Sequence, residues 1–494
     1  MIGLAGRRTA LVAARKAAGF TQEGLAEALH VDRSTVIRWE AGEYAPLPYL
    51  RPKLARLLGR SADQLRDVLD GEPPGDAVEL GHEVERALNW VDARAGWSAG
   101  EANRRVRGEL ATGRAPQAAR ALGRGEIAAA LGAYYGGEVV GHALYAARAG
   151  SARAVTSVST RPEWLAPWAL DAASDLELVP GSGSAAGPID GAAAVRRLAR
   201  VVEGDVRMTD APIYRLTEVE AAAGGLVGRV ELGSFVEYAL TADLLEGELV
   251  DALTAGRSAK PGALPLRDRY LPDLASVLDL RGRLCAGGVL ALTAIARPSD
   301  PYRGEADYLL LVQERSAQVL NAAGKLSVIP KGFHGPLADY RADARIGATL
   351  RRELEEELFG RADVDNTAGG PRAADPMHAS RLSRPMRWLG ERADRMRMER
   401  TGFGFNLVSG NYEFATLIVI EDEAFWARFG GEVEANWEAA GLRQYSTRDA
   451  EMLVDLVGDK SWSNEGLFAF LQGLRRLREN GGSRVALPEI ELGC

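Results

Sequence analysis

The sequence predicts a multidomain protein of the α and α+β classes, with a helical N-terminal bundle, a helical and mixed middle region, and a C-terminal α/β/α sandwich. Its 494 residues are too many for one core, because a domain averages about 150 residues. Apolar residues recur at helical spacing in residues 1–70. Apolar runs at 287–297 and 307–315 precede an amphipathic helix at 345–359, an order that favours a sheet packed against helices.

Composition along the chain predicts the domain boundaries. Paired prolines flanked by glycines at 71–76 are typical of a linker. The expected segments are an N-terminal domain at 1–70, a helical connector with a dimer interface at 77–150, a mixed α/β middle region at 151–280, the C-terminal domain at 281–480 and a tail at 481–494. The pattern leaves open whether 77–280 is one domain or a helical connector plus an extension of the C-terminal sheet.

Local patterns add four expectations about individual helices. Ser98 is the expected N-cap of a helix that ends near residue 110. A single long helix is expected at 235–253, and closing helices are expected at 436–449 and 463–480.

Composition narrows the class of protein. A hydrophobic fraction of 46% and a charged fraction of 26% are ordinary for globular domains. No apolar run approaches the ~20 residues of a membrane span, and the N-terminus lacks a signal-peptide pattern, so we expect a cytoplasmic protein. Cys285 and Cys494 are too isolated for a disulfide scaffold, and five scattered histidines do not complete a zinc site. Heavy use of Ala, Arg and Gly suggests a bacterial source.

Residues 20–42 predict two short helices joined by a tight turn. Thr21 is a good N-cap, and residues 30–32 are expected to form the turn. We expect Val36 and Ile37 of the second helix to face inward. The outer face near its N-terminal end would then carry Arg33, Ser34, Thr35 and Arg38. A helix presented in this way can contact base edges in the DNA major groove.

The same stretch resembles the Cro/C1-type (XRE) helix-turn-helix repressors. The matching residues, in order and spacing, are Leu11, Arg15, Gly19, Thr21, Gln22, Leu25, Ala26, Val31, Ser34, Thr35, Val36, Trp39, Glu40, Gly42 and Pro46. The resemblance implies a five-helix unit in which Arg15 pairs with Glu40. It also implies a homodimer on palindromic operator DNA, contacted through Gln22, Arg33, Ser34, Thr35 and Arg38. A small helical bundle without a DNA role is the alternative.

Charge supports the DNA-binding interpretation. Residues 1–60 hold ten Lys or Arg against five Asp or Glu, a net charge of +5, whereas the whole chain carries −8. A basic module on an acidic body binds phosphate locally and adheres less elsewhere.

The helix predicted at 345–359 holds a cluster of glutamates. Glu353, Glu356 and Glu357 stand at i, i+3 and i+4, which places them on one helix face. Carboxylates grouped in this way can bind a divalent cation such as Mg²⁺, which also contacts phosphates. A solvated acidic helix face is the alternative from spacing alone.

The string from Arg352 to Glu357 resembles the core of the Nudix box, and the strand and loop before it resemble that family too. The resemblance implies a Nudix-like domain in which the three glutamates hold Mg²⁺, and Lys331 and Arg352 contact a nucleotide-type ligand. This sequence departs from the box at Ala338, where the family has glycine, and at Ala344, where it has glutamate. The departures favour ligand binding over hydrolysis.

These patterns predict a DNA-binding transcriptional regulator tuned by a nucleotide-type ligand in a degenerate Nudix-like domain. The first alternative is an active Mg²⁺-dependent Nudix-type pyrophosphohydrolase. The second is a regulator whose Nudix-like domain serves only dimerisation.

Overall fold

The computed structural model describes two compact units, Met1–Leu80 and Gly81–Cys494. The residues described are 9–18, 20–40, 46–47, 50–60, 65, 69, 82–112, 122–136, 141–170, 176–181, 189–204, 206, 208–222, 225–317, 319, 322–359, 376–433, 435–436 and 438–493. The linker predicted at 71–76 lies outside these residues. None of the helices in these residues is long and apolar enough to cross a membrane.

The first unit is helical. Its elements are α1 (Thr9–Ala17), α2 (Gln22–Leu29), α3 (Arg33–Glu40) and α4 (Arg51–Leu57). They enclose one apolar core that includes Leu25, Val36 and Trp39. Of the expected fifth helix, only Leu65 and Leu69 are described, and both are buried in the same core.

The inward orientation predicted for Ile37 is wrong. Its side chain is 40% exposed, whereas Val36 and Trp39 are buried. A helix turns by about 100° per residue. Since Val36 and Trp39 already form the inward stripe, Ile37 is rotated towards the outer face of α3.

The second unit contains thirteen helices and fourteen strands in the part of the chain that is described. The helices are α5 (His82–Ala95), α6 (Glu101–Ala111), α7 (Arg124–Tyr135), α8 (Gly191–Glu203), α9 (Phe235–Ala239), α10 (Leu244–Thr254), α11 (Pro265–Tyr270), α12 (Leu274–Leu278), α13 (Ile346–Glu357), α14 (Arg384–Gly390), α15 (Glu423–Phe429), α16 (Ala450–Gly458) and α17 (Asn464–Asn480). The strands are β1 (Ala143–Ala149), β2 (Ala152–Thr160), β3 (Trp168–Ala169), β4 (Leu176–Leu178), β5 (Pro212–Ala222), β6 (Gly225–Ser234), β7 (Gly287–Arg297), β8 (Asp307–Arg315), β9 (Leu326–Val328), β10 (Lys331–Phe333), β11 (Met396–Asn406), β12 (Asn411–Ile420), β13 (Ala439–Ser446) and β14 (Ile490–Gly493).

Most strands belong to one large mixed sheet. Its order is β13-β8-β7-β12-β11-β2-β1-β14, with β3, β9 and β10 attached at its sides. The β7–β12 pair is parallel, and the other described pairs of this sheet are antiparallel. A second sheet has the order β4-β6-β5.

The segments predicted at 77–150, 151–280, 281–480 and 481–494 therefore lie in one compact unit. Strands β1 and β2 from before residue 161 extend the sheet through β11, and β14 from the predicted tail pairs with β1. An edge strand has unpaired N–H and C=O groups that can pair with another strand. Segments that are distant in the sequence can therefore complete one sheet. Within 77–280, β1, β2 and β3 belong to the large sheet, whereas β4, β5 and β6 form the second sheet, so neither arrangement left open describes the whole segment.

Apolar cores lie on both faces of the large sheet. On one face, Leu350 and Leu354 of α13 pack in the same core as Phe414 of β12. On the other face, Phe468 and Leu471 of α17 pack in a second core. Alternate residues of β12 serve the two cores because successive strand side chains point to opposite faces.

Two of the expected helices are wrong. Residues 235–253 form two helices, α9 and α10, separated by a turn in which the buried Asp243 accepts from the hydroxyl of Tyr238 at 3.2 Å and pairs with Arg197. Residues 439–446 form β13, since their backbone completes the open edge of β8. The helix predicted at 463–480 is confirmed as α17, capped by Ser463.

Ser98 is not the N-cap of α6. The carboxylate of Asp92, on the preceding helix, accepts from the N–H groups of Gly100 and Ala102, both at 2.7 Å. Gly100 has a φ of 83°, which glycine adopts without strain. The cap therefore comes from another helix, where a local sequence pattern could not show it.

A buried arginine joins several segments of the second unit. Arg267 is fully buried, and its guanidinium donates to the carbonyls of Leu407 at 2.7 Å, Val408 at 2.6 Å and Leu245 at 3.3 Å. It also donates to the hydroxyl of Tyr135 at 2.9 Å. One flat group thus satisfies acceptors from three parts of the chain.

We expect Arg267→Lys to destabilise the second unit by roughly 2–4 kcal/mol, because an ammonium cannot reach all four acceptors and leaves some buried without a donor. Chemical denaturation of the full chain measures the change. Arg257→Lys, at an exposed position, is the matched control and should change stability little. Equal stability of the two variants would contradict the structural role of Arg267.

Candidate nucleic-acid interface and ligand cavity

The turn between α2 and α3 is built as the sequence predicts. The hydroxyl of Thr21 accepts from the N–H of Gly24 at 2.9 Å, which caps α2. His30 ends α2 in the left-handed region with a φ of 59°, and the N–H of Val31 then donates to the carbonyl of Ala26 at 3.0 Å. The chain reverses within three residues and starts α3 at Arg33.

Helix α3 has one buried and one exposed face. Val36 and Trp39 are buried, whereas Arg33, Ser34 and Arg38 are exposed on this unit and Thr35 is half-buried. This is the orientation that a recognition helix needs, with its N-terminal residues outward. Contact of these four residues with DNA stays a prediction.

A buried ion pair connects α1 to the end of α3. Arg15 donates from Nε to Glu40 at 2.6 Å and from Nη1 to the carbonyl of Phe20 at 2.7 Å, so the predicted pair is present. Gln22 donates from Nε2 to the other oxygen of Glu40 at 2.7 Å. Gln22, predicted to contact DNA, therefore has a further role at the start of α2, where it holds α2 against α3.

The second unit contains a cavity of about 550 Å³. Residues of β7, β10, β12, α13 and α17 are among those that line it. Its charged lining residues are the basic Arg124, Arg315, Lys325, Lys331 and Arg352, and the acidic Glu246, Glu353, Glu356, Glu413, Glu438 and Glu465. Four of the five residues predicted for this unit line the cavity; Glu357 does not.

Lys331 joins the two helices that flank the sheet. Its backbone N–H donates to Glu357 of α13 at 2.8 Å, and its ammonium donates to Glu465 of α17 at 2.6 Å. Next to it, a Cβ on Gly332 would lie 2.1 Å from the carboxyl carbon of Glu353, so a side chain at this position would displace the Glu353 carboxylate. Short strand β10 is thus fixed to both helices.

Arg352 holds the loop that follows β10. Its guanidinium donates to the carbonyls of Gly335 at 3.0 Å and Phe333 at 3.2 Å, and to Glu353 at 2.9 Å. Arg352 and Lys331, which were predicted to contact a ligand, both line the cavity. Both also make hydrogen bonds that stabilise the segments around it.

Of the three predicted metal ligands, two line the cavity and one does not. Glu353 and Glu356 line the cavity, but Glu357 is fully buried and accepts from Lys331. Burial and the nearby carboxylates of Glu438 and Glu353 hold the pKa of Glu357 well above its ordinary value. Among the described residues, no three His, Cys, Asp or Glu side chains are grouped to hold a metal ion. The residues as placed do not fit a ready-made magnesium site, and Mg²⁺ binding stays a prediction.

Sequence reasoning missed four carboxylates of the cavity, Glu246, Glu413, Glu438 and Glu465. Burial, with Glu465 nearby, raises the pKa of Glu413 to about 8. Burial, with Asp243 and Glu465 nearby, raises the pKa of Glu246 to about 7. Burial also acts on Glu465, but the bonded Lys331 ammonium lowers its pKa overall. One signal was present: Glu413 is the only charged residue of the apolar run 411–420.

Comparison with known proteins bears on the first unit. The helix-turn-helix family HTH_3 matches residues 11–65. The chain is also similar to a protein of Methanothermobacter thermautotrophicus described as an uncharacterized HTH-type transcriptional regulator, with 47% identity over 53 residues. That match covers 11% of this chain and 77% of the other protein. With the capped α2, the tight turn and the exposed face of α3, these matches show that the chain belongs to the XRE-type helix-turn-helix family of DNA-binding transcriptional regulators.

Proposed function

We propose that this regulator binds palindromic operator DNA as a homodimer, and that a polar, nucleotide-type ligand in the cavity of the second unit tunes that binding. The observation that carries the proposal is the cavity itself. Its volume of about 550 Å³ lies within the range of small-molecule sites, and its walls carry charges of both signs. A unit that only dimerised would have no need of such a lining.

The DNA-binding half rests on α3. Arg33 and Arg38 are exposed on its outer face, and Ser34 lies beside them near the N-terminus of the helix. Arginine donates two hydrogen bonds to guanine, and such a pair contributes about 1–3 kcal/mol of discrimination. Two recognition helices of a dimer reach half-sites about 34 Å apart, which is why a homodimer is part of the proposal.

The ligand half rests on how the cations of the cavity are paired. Lys331 pairs with Glu465, Arg352 pairs with Glu353, and Arg315 lies 3.3 Å from Glu438. A phosphate group entering the cavity would compete with those carboxylates for the same cations. Binding would then replace the ion pairs that hold β10 and the loop after it with contacts to the phosphate group. This replacement gives the ligand a physical means of changing the conformation of the second unit.

Tuning requires that the ligand bind the DNA-competent and DNA-incompetent arrangements with different affinity. Coupling between two such sites is typically about 1–3 kcal/mol, or roughly 5- to 150-fold in affinity.

A second candidate function is Mg²⁺-dependent hydrolysis of a nucleoside diphosphate compound. The observation in its favour is that Glu353 and Glu356 line the same cavity as Arg352. The described residues do not form a ready-made metal site around these carboxylates.

We expect Arg33→Ala and Arg38→Ala each to weaken specific DNA binding by roughly 5- to 100-fold, because each removes contacts to base edges. The operator is first selected from random duplexes with the wild-type chain, and affinity is then measured by fluorescence anisotropy at fixed salt. Lys16→Ala removes one positive charge from an exposed site on α1 and is the matched control. An equal loss in Lys16→Ala would mean that charge alone, rather than readout by α3, drives binding.

We expect at least one nucleoside diphosphate compound, from a panel that includes ADP-ribose and NAD, to raise the melting temperature and change operator affinity by roughly 5- to 150-fold. Melting, anisotropy and product formation are followed with and without Mg²⁺. A ligand that stabilises the protein and leaves operator affinity unchanged contradicts tuning.

Product formation that is lost in Glu356→Gln would favour the hydrolase instead. If no compound of the panel changes the melting temperature or operator affinity, the nucleotide-type ligand is wrong, and a second unit that serves only dimerisation becomes the better explanation.

A further inference from the structure

A buried carboxyl group in the cavity lining has no partner among the described residues. Glu413 lies on β12, and its side chain is only 6% exposed. It lines the cavity, and no hydrogen bond or ion pair joins its side chain to any described residue. Ala415 and Leu417, two and four residues on, pack in the core beneath α17, so Glu413 faces the same side of the sheet.

Burial of a carboxyl group without a hydrogen-bond partner lowers the stability of the folded protein. Transfer of a polar group out of water without a compensating hydrogen bond is unfavourable even when the group is neutral, and more unfavourable when it is ionised. Lys331, the cation whose charge lowers the pKa of Glu413, already donates to Glu465 at 2.6 Å. A partner for Glu413 that comes from the cavity removes this cost.

The charges of Lys331 and Glu465 also act on a second carboxyl group, that of Glu246. Glu246 of α10 lines the cavity, and its side chain has no hydrogen-bond partner among the described residues. The charged groups that act on Glu246 are Asp243, Glu465, Arg197 and Lys331, and those that act on Glu413 are Glu465 and Lys331. The Lys331–Glu465 pair thus acts on the pKa of two carboxyl groups that line the same cavity and belong to different elements. We call Glu246, Glu413 and Glu465 the acidic subsite.

The arrangement favours an organic cation over a metal ion. A metal ion needs several ligand atoms within about 2.0–2.6 Å, and no such group of His, Cys, Asp or Glu exists in the described part of the chain. A guanidinium or ammonium group carries several N–H donors and satisfies carboxylates that stand further apart. The amide of Asn406, which donates to Glu465 at 3.1 Å, adds a neutral polar wall.

We propose that the acidic subsite binds the guanidinium or ammonium group of a small organic ligand, with Glu413 and Glu246 as its acceptors. The proposal rests on the proposed function in one respect, that the cavity is a ligand site, and it specifies the chemistry of one end of that ligand. Arg315 and Arg352, two of the cations proposed to meet a phosphate group, are not part of the acidic subsite.

Two isosteric probes test the charge requirement. Butylguanidine carries the cation, and butylurea has nearly the same shape without it. We expect calorimetric titration of the full chain to detect butylguanidine, with butylurea at least about tenfold weaker, a difference of about 1.4 kcal/mol. Equal binding of the two probes, or no binding of butylguanidine, would overturn the proposal.

The residue requirement is tested by two variants that make the same chemical change. Glu413→Gln should weaken butylguanidine binding by about tenfold or more, whereas Glu220→Gln, at an exposed position on β5, should leave it unchanged. Binding should also ionise Glu413 and release a proton near neutral pH, which appears as a dependence of the binding enthalpy on the ionisation enthalpy of the buffer. Wild-type affinity in Glu413→Gln would exclude Glu413 as the acceptor.

Folding of Glu413→Gln has its own pH signature. The pKa of Glu413 is raised from 4.5 to about 8, so its protonated form stabilises the fold below pH 4.5 and this contribution is lost as the pH rises towards 8. We expect the variant to melt at or above the wild-type temperature near pH 8, with the difference shrinking towards pH 5. Parallel melting curves across this range would mean that Glu413 is not held in a site that disfavours its charge.

Measurement of operator affinity separates this proposal from the proposed function. If butylguanidine binds and no nucleoside diphosphate compound changes operator affinity, the acidic subsite stands and tuning by a nucleotide fails. If such a compound does change operator affinity and butylguanidine does not bind, tuning stands and the acidic subsite is wrong.

Discussion

Lys331 provides the contact on which the cavity of the second unit depends. It belongs to a three-residue strand, yet its backbone N–H binds Glu357 of α13 and its ammonium binds Glu465 of α17. These helices pack on opposite faces of the sheet, so Lys331 sets the distance between them at the end where the cavity lies. Gly332 then allows Glu353 to approach the backbone.

The same principle organises the DNA-binding unit. There Glu40 accepts from both Arg15 and Gln22, which fixes α3 against α1 and α2. A buried ion pair specifies geometry more than it adds stability, because desolvation offsets much of its Coulomb attraction. In one unit a carboxylate shared by two donors positions α3, and in the other a lysine bound to two carboxylates positions β10. These are the elements that would meet a partner.

The ion pairs within the cavity also distinguish the charged residues that hold the fold from those that are candidates for contact with a ligand. Lys331 and Arg352 are the residues that sequence reasoning assigned to a ligand, and both hold walls. Glu413 and Glu246, which sequence reasoning missed, are the groups that the described protein leaves without partners. A residue type and a spacing can indicate that chemistry is present, but only contacts show which groups are already used.

The sequence by itself determined the features that depend on local interactions. Each of these features follows from a few neighbouring residues. They are the Thr21 cap, the turn at His30, the exposure of Arg33 and Arg38, the strands at 287–297 and 307–315, and the cap of α17 at Ser463. Tertiary structure decided what depends on distant partners. Each of these features brings together segments whose proximity no local pattern encodes. They are the Asp92 cap of α6, the strand at 439–446, the pairing of β1 and β14 within one sheet, and the assembly of Glu246, Glu413 and Glu465.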